Sequence, residues 1–245
     1  MIKIQMKEFD LEKTSRSGQC FRMNPVPGQE GRYALIAYGK YLEIEKGEDG
    51  FLFSCTQEEW EALWADYFDC GRDYRKIYKA VDKKDKYMQK AVTYGNGIRI
   101  LKQEVFETTI SFIISQQNNI SRIKKCVESL CESFGEERYN YKGEKYYKFP
   151  TAERLARLSE QDLRGCNLGY RSRYILKSAR MIAEGEINFA GLTGMTYEEA
   201  RAELMKLCGV GIKVAECICL FALHHVDAFP VDTHIQTVLL KYYPE

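Results

Sequence analysis

The sequence predicts an α+β fold: an N-terminal antiparallel β-sheet domain followed by an all-helical domain. Three observations carry this. Between residues 32 and 55, apolar and polar positions alternate and are interrupted by glycine turns. From about residue 100 onward, apolar residues recur at helical spacing instead. The chain of 245 residues is 45% hydrophobic and 29% charged, a globular composition long enough for two packed domains. The expected boundary lies at residue 100. Residues 1–100 form the sheet domain with flanking helices, and residues 101–245 form the helical domain.

In the stretch RYALIAYGKYLEIEKGEDGFLFSC, Tyr33, Leu35 and Ala37 alternate with Ala34, Ile36 and Tyr38. Leu42 and Ile44 alternate with acidic residues. Gly39-Lys40 and Glu48-Asp49-Gly50 are turn signals, so the stretch reads as a meander of short antiparallel strands. Thr56, with Glu59 three residues later, has the pattern of a capping box. Trp60, Leu63, Trp64 and Tyr67 then fall on one apolar helix face and are expected in the core. Past residue 100, Phe106, Ile110, Ile113 and Ile114 share a helix face. Ile123, Val127, Leu130, Cys131 and Phe134 share another, which Gly135 ends. The segment RYNYKGEKYYKFP reads as a Tyr- and Lys-rich loop. Thr151 opens the next helix, with Leu155 and Leu158 inward, and Tyr174, Ala179 and Ile182 mark a further one. Thr196 with Glu199 is a second capping box, opening a helix through Leu204 to Leu207. LCGVGIK follows, then the apolar helix VAECICLFAL, a turn containing Pro230, and DTHIQTVLLKYY.

Composition excludes several classes. The N-terminal MIKIQMKEFDLEKT interleaves charges with apolar residues and has no signal-peptide core. No stretch reaches the roughly 18 apolar residues of a spanning helix, so no membrane partner is expected. Cytoplasm is the default compartment, at the nucleoid if the source is prokaryotic. The nine cysteines are odd in number and fit reduced thiols rather than a disulfide framework. No CxxC pair occurs, and Cys217 and Cys219, two apart on a helix, point in different directions. No zinc or iron–sulfur ligand set is recognisable, so neither a metal nor another cofactor is expected.

The most specific local feature is Gly209-Val210-Gly211 between two apolar helices. Two glycines there would allow positive φ and bare backbone N–H groups, beside the positive end of a helix starting near Ile212. Such an arrangement makes a sequence-independent phosphate site. It resembles a helix–hairpin–helix, the DNA-backbone grip of many repair proteins. Lys213 lies in the first turn of the second helix, and Asp232 lies nineteen residues on, in FPVDTH. The pair suits base excision. Breaking a glycosidic bond builds positive charge on the sugar, which a carboxylate stabilises, and an amine can attack C1′ to give a Schiff base.

The string LCGVGIKVAECICLFALHHVDAFPVDTH resembles the helix–hairpin–helix DNA glycosylases that use a Lys and a downstream Asp. Endonuclease III relatives add a four-cysteine cluster after the Asp, but no Cys follows Cys219 here. Alkyl-purine glycosylases lack the Lys. The remaining match is the 8-oxoguanine DNA glycosylase family, and it extends along residues 10–243. SRSGQCFRM resembles the family's SGQxFRW element, SFIISQQNNISRI its FSFICSSNNNIARI segment, and LGYRSRY its LGYRARY. The resemblance implies a bifunctional glycosylase/lyase that excises 8-oxoguanine from duplex DNA by a Schiff base and β-elimination.

It also implies residue roles. Lys213 is the nucleophile, and Asp232 stabilises the sugar cation and orients the amine. Gly18 offers its carbonyl to the N7–H of the oxidised guanine. Cys217, one turn after Lys213, stands against one face of the flipped base. Phe221, a further turn on, either lines that pocket or is plain core. Tyr170 is the wedge, and Arg171 and Arg122 read the orphaned cytosine. Asn118 and Asn119 lie in the gap-filling loop. Gln117 stands where the family more often has Asn, which predicts a looser opposite-base preference. Gly209 and Gly211 form the hairpin, and His234 contacts a phosphate. The expected partner is double-stranded DNA with oxidised guanine opposite cytosine, bound by a monomer. The chain ends thirteen residues after Asp232, where family members continue into a helix bearing an amide and an aromatic for the base; the expectation is a truncation. Two alternatives stay open: the same chemistry on another damaged base, or a non-catalytic helix–hairpin–helix DNA-binding module.

Taken as a total, the net charge of +1 argues against a DNA partner. By position it does not. Residues 108–127, 163–183 and 204–215 hold ten basic residues and no acidic one, so these 53 residues carry +10 and the other 192 carry −9. A basic face and an acidic back are expected, with salt-sensitive affinity.

Overall fold

The computed structural model of the chain describes residues 1–244. They group into two compact units. Met1–Ala34, Leu42–Lys102 and the segment from Val231 onward form the first, and Leu35–Tyr41 with Gln103–Pro230 form the second.

A five-stranded sheet, most of whose residues belong to the first unit, consists of β1 (Ile2–Ile4), β2 (Met23–Pro25), β3 (Arg32–Ala37), β4 (Lys40–Gly47) and β5 (Gly50–Phe53), in the order β1-β5-β4-β3-β2. Both β1 and β4 run antiparallel to β5, with Ile2 and Ile44 each opposite Phe53. The expected meander is β3-β4-β5. Its first turn falls on Tyr38-Gly39, with φ of 52° and 68°, the left-handed pair that a two-residue hairpin needs. Alternation along the strands buries Leu35, Ala37, Leu42, Ile44, Phe51 and Phe53.

Helix α1 (Leu11–Arg16) is capped by the Asp10 carboxylate. Thr56 caps as the sequence predicts, its hydroxyl oxygen accepting from the Glu59 amide at 3.2 Å. It opens α2 (Gln57–Glu59), which passes through a π-helical turn at Trp60–Trp64 into α3 (Ala65–Tyr67). Trp60, Trp64, Tyr67 and Phe68 are buried, and the Trp60 and Phe53 rings lie 4.6 Å apart. Both tryptophans are therefore core. Helices α4 (Tyr74–Ala80) and α5 (Lys86–Gly95) follow.

The second unit holds α6 (Val105–Ser115), α7 (Ile120–Phe134), strands β6 (Glu137–Tyr139) and β7 (Lys145–Tyr147), α8 (Ala152–Ala156), α9 (Glu160–Gly165), α10 (Arg171–Ala183), α11 (Tyr197–Leu204) and α12 (Ile212–Phe221). Ile110, Ile113, Val127, Leu130, Leu155, Ile175, Ala179 and Ile218 form its core. Asn119, Thr151, Ser159 and Thr196 each cap the helix that follows. Both bonds of the Thr196–Glu199 capping box are present.

One expectation needs correction. Residues 137–147 are not a loop but a hairpin, with Glu137 opposite Tyr147 and Tyr139 opposite Lys145. Aromatic side chains favour strands, and the Asn140 carboxamide closes the turn by accepting the amides of Lys142 and Glu144 at 2.9 Å. All three residues of β6 are exposed, so no hydrophobic alternation betrays the pair.

Helix α13 (Thr233–Tyr242) belongs to the first unit. There the Tyr242 ring lies 4.4 Å from Tyr87, and the Tyr243 hydroxyl donates to Asp85 at 2.8 Å.

Candidate active site

The hairpin between α11 and α12 is the centre of the second unit's site. Gly209 has φ +83°, and a Cβ on it would lie 2.7 Å from Cγ of Tyr174. Only glycine meets both conditions without displacement. Gly211 behaves differently from the expectation that both glycines need positive φ. Its φ is −93°, extended backbone open to any residue, and nothing lies within 4 Å of where its Cβ would be. Gly211 keeps space open rather than enabling a turn. As the N-cap of α12 it provides no side-chain hydrogen bond, and the neighbouring Ile212 is exposed. The first amides of α12 therefore face an uncovered, positively polarised helix end.

Two side chains hold the hairpin from neighbouring helices. Ser178 on α10 donates to the Cys208 carbonyl at 2.8 Å, and the Gln116 side-chain amide donates to the Gly209 carbonyl at 2.9 Å. Gln116 is in turn held by Arg171, whose guanidinium donates to the Gln116 carbonyl and, at 3.1 Å, to that of Gln117. Gln117 is left-handed, at φ 47°, and exposed. A continuous set of hydrogen bonds thus joins the α6–α7 loop, the start of α10 and the hairpin. Sequence reading passed over Gln116. The adjacent amide pair Gln116-Gln117 is the signal that could have marked it.

Arg171 is only 5% exposed and bound to backbone carbonyls. The resemblance assigns it to the orphaned cytosine; in this structure its guanidinium clamps the loop. Tyr170 beside it is 45% exposed, edge-on to Tyr174 at 5.7 Å. Asn119 accepts the Arg122 amide at 2.9 Å and so caps α7, while the Asn118 amide donates to the Ile114 carbonyl at 3.1 Å. The Arg122 side chain is exposed.

Lys213 is half-buried in the first turn of α12. Its Nζ lies 5.1 Å from the centroid of Phe112, and no carboxylate of the second unit pairs with it. Phe112 on α6 stacks on Phe221 at 5.7 Å and 14°. An aromatic face is attractive to an ammonium, so Phe112 orients the Lys213 amine. It is a site residue that lies off the α6 face formed by Phe106, Ile110, Ile113 and Ile114. Cys217, one turn after Lys213, is 3% exposed. Cys219, on another side of α12, is inert: burial, with Glu216 second, pushes its thiol up to about 12. None of the nine cysteines is in a disulfide, and the described residues contain no metal-binding cluster.

Gly18, Asp232 and His234 belong to the first unit. Gly18 has φ +81° and lies between pinned neighbours. Ser17 donates to the Thr14 carbonyl at 2.8 Å, and the buried Gln19 side chain bridges the Arg99 carbonyl and the Leu101 amide at 2.9 and 2.8 Å. Asp232 is the N-cap of α13, accepting the Ile235 amide at 2.8 Å. His234 is exposed in that helix's first turn.

Residues 1–109 match the family model described as 8-oxoguanine DNA glycosylase, N-terminal domain, and residues 110–244 match that of the HhH-GPD superfamily base excision DNA repair proteins. An N-glycosylase/DNA lyase of Saccharomyces cerevisiae is 42% identical over 99% of this chain and 70% of its own length. A probable N-glycosylase/DNA lyase of Methanothermobacter thermautotrophicus is 30% identical over 99% of this chain and 85% of its own. The 8-oxoguanine glycosylase/lyase of Clostridium acetobutylicum, solved with double-stranded DNA containing cytosine opposite 8-oxoguanine, superposes with a TM-score of 0.92 at 37% identity, covering 97% of this chain and 81% of that one.

Proposed function

The chain belongs to the 8-oxoguanine DNA glycosylase family within the HhH-GPD superfamily, and from that premise we propose that it excises 8-oxoguanine opposite cytosine and then cleaves the strand as a lyase. The observation that carries the proposal is Lys213, placed in the first turn of α12 behind an uncovered hairpin, with its amine on an aromatic face and free of the second unit's carboxylates.

The hairpin amides and the end of α12 suit a phosphate of the damaged strand. Tyr170, exposed at the start of α10, suits the role of wedge, offsetting the stacking lost when the base leaves the helix. The extruded base enters beside Cys217 and Phe221, and Gly18 accepts from its N7–H. The neutral Lys213 amine attacks C1′, the bond from C1′ to the base breaks, and its electron pair leaves with the purine, which is then protonated. Asp232 stabilises the positive charge that builds on the sugar as this happens. The sugar opens to a Schiff base on Lys213, and loss of a C2′ proton expels the 3′ phosphate. Exposed Arg122 remains available to the orphaned cytosine, whereas Arg171 reaches it only by leaving the carbonyls of Gln116 and Gln117. The longer Gln117 amide in the gap-filling loop suits a looser opposite-base preference. The binding unit is a monomer.

Borohydride trapping tests the reading. A duplex with 8-oxoguanine opposite cytosine should give a covalent protein–DNA band that vanishes in Lys213→Gln. No band with either 8-oxoguanine or abasic DNA would leave only the DNA-binding module. A band with abasic DNA alone would move the substrate to another lesion.

A further inference from the structure

The second unit contains one buried carboxyl group that the proposed chemistry does not use. Glu216 lies on α12 three residues after Lys213 and is 4% exposed. One of its oxygens accepts from the Tyr197 hydroxyl at 2.5 Å and from the Arg201 guanidinium at 3.2 Å. The other accepts from the backbone amide of Phe229 at 3.0 Å. Burying a carboxylate is costly unless it is fully hydrogen-bonded. Tyr197 and Arg201, on α11, account for one oxygen as a tie between adjacent helices. The bond to Phe229 does something else, because Phe229 lies three residues before Asp232 along the chain.

The segment after α12 has little else to hold it. Val226, Phe229 and Val231 are 42%, 58% and 43% exposed, although all are apolar. Only Ala228 among residues 226–231 is buried. The other backbone ties, the His225 amide to the Cys219 carbonyl at 2.9 Å and the Ala228 amide to the His225 carbonyl at 3.0 Å, lie upstream of Phe229. The Glu216 bond is thus the last described anchor before the chain leaves the second unit. We propose that Glu216 is a positioning residue for Asp232 that acts along the chain: by tying the Phe229 amide to α12 it fixes the point from which the segment leading to Asp232 departs. The proposal deepens the glycosylase reading and rests on it.

Glu216→Gln preserves size, so the fold should survive. A neutral amide presents one acceptor and one donor where three donors converge, and the anchor weakens. Hydrogen exchange of the 226–232 segment should quicken about tenfold, the scale of one lost charge-assisted bond, while α6 amides stay protected. Single-turnover excision of 8-oxoguanine should fall at least about tenfold. Affinity for a duplex carrying an uncleavable tetrahydrofuran site should stay within about twofold, a split that general destabilisation would not produce. Tyr197→Phe removes one of the two α11 donors, leaves the Phe229 bond in place and should leave both exchange and excision near wild type. Unchanged exchange in Glu216→Gln would overturn the anchor, and faster exchange with unchanged excision would overturn its role in positioning. A wild-type protein that excises and traps nothing would instead overturn the glycosylase reading, and the positioning role with it.

Discussion

At the residue scale, structure and chemistry can be separated by choosing side chains that keep one and remove the other. Asp232 both caps α13 and is the proposed electrostatic partner of the sugar. Asparagine caps a helix as well as aspartate does but carries no charge. Asp232→Asn should therefore melt within about 2 °C of wild type yet lose roughly 100-fold in excision rate. A large fall in melting temperature with little kinetic effect would make Asp232 a cap and nothing more. The two hairpin glycines form a second pair. Gly209→Ala puts a side chain at φ +83° and 2.7 Å from the Tyr174 ring, and should cost about 1–3 kcal/mol, lowering the melting temperature by roughly 3–10 °C. Gly211→Ala meets nothing and should leave stability near wild type, while its methyl crowds the amides offered to a phosphate. Binding of abasic-site duplex should weaken several-fold in Gly211→Ala. If thermal melts rank the two substitutions the other way, the assignment of roles within the hairpin fails.

At the element scale, Arg171 decides how the α6–α7 loop is held. Its guanidinium donates to the carbonyls of Gln116, Gln117 and Leu168, and Gln116 extends the connection to Gly209. A lysine cannot serve several carbonyls in a fixed plane. Arg171→Lys should raise hydrogen exchange in residues 115–119 and blunt discrimination between cytosine and adenine opposite the lesion, measured as the ratio of the two excision rates. Equal protection of that loop in both proteins would refute the clamp. This connection also marks where sequence reading stops. Periodicity locates α6, α7, α10 and α12, and the capping patterns at Thr56, Thr151 and Thr196 locate helix starts, because burial of one face and satisfaction of end amides are local demands. GVG, Lys213, Asp232 and the LGYRSRY stretch are legible as motifs for the same reason. That Arg171 turns inward to carbonyls 54 and 55 residues away is a tertiary choice which no local pattern encodes. Glu216 was illegible for the same reason: on an apolar helix it reads as a lone charge until Tyr197, Arg201 and the Phe229 amide surround it. The 137–147 hairpin escaped because its strands bury too little to alternate.

At the scale of the whole molecule, the question is what a net charge of +1 does when its charges are unevenly placed. Of the ten basic residues in the three acid-free windows, Arg171 is buried, and Arg164 and Lys206 are paired with Glu160 and Glu203 at 2.7 and 2.5 Å. Arg180 donates to the carbonyls of Ala156 and Leu158. Lys124 is half-buried and has a partner of its own. Arg122, Lys125, Arg173 and Lys177 are exposed and Lys213 half-buried, all in the second unit, so about four or five phosphates can be neutralised. Counterion release gives a slope of log affinity on log salt of about −0.9 per phosphate, hence about −4 here. Raising salt fourfold from 50 mM should then weaken duplex binding by ~10²–10³-fold. A molecule whose uniform charge was near zero would show almost no slope. Lys125→Glu and Arg173→Glu should each reduce the slope by about one. Reversing Lys3, an exposed cation of the first unit paired with Asp49, should leave it unchanged. Anisotropy titrations across potassium chloride read all four proteins directly. A wild-type slope near zero, or equal effects of the three reversals, would show that segregated charge does not govern how this protein finds DNA.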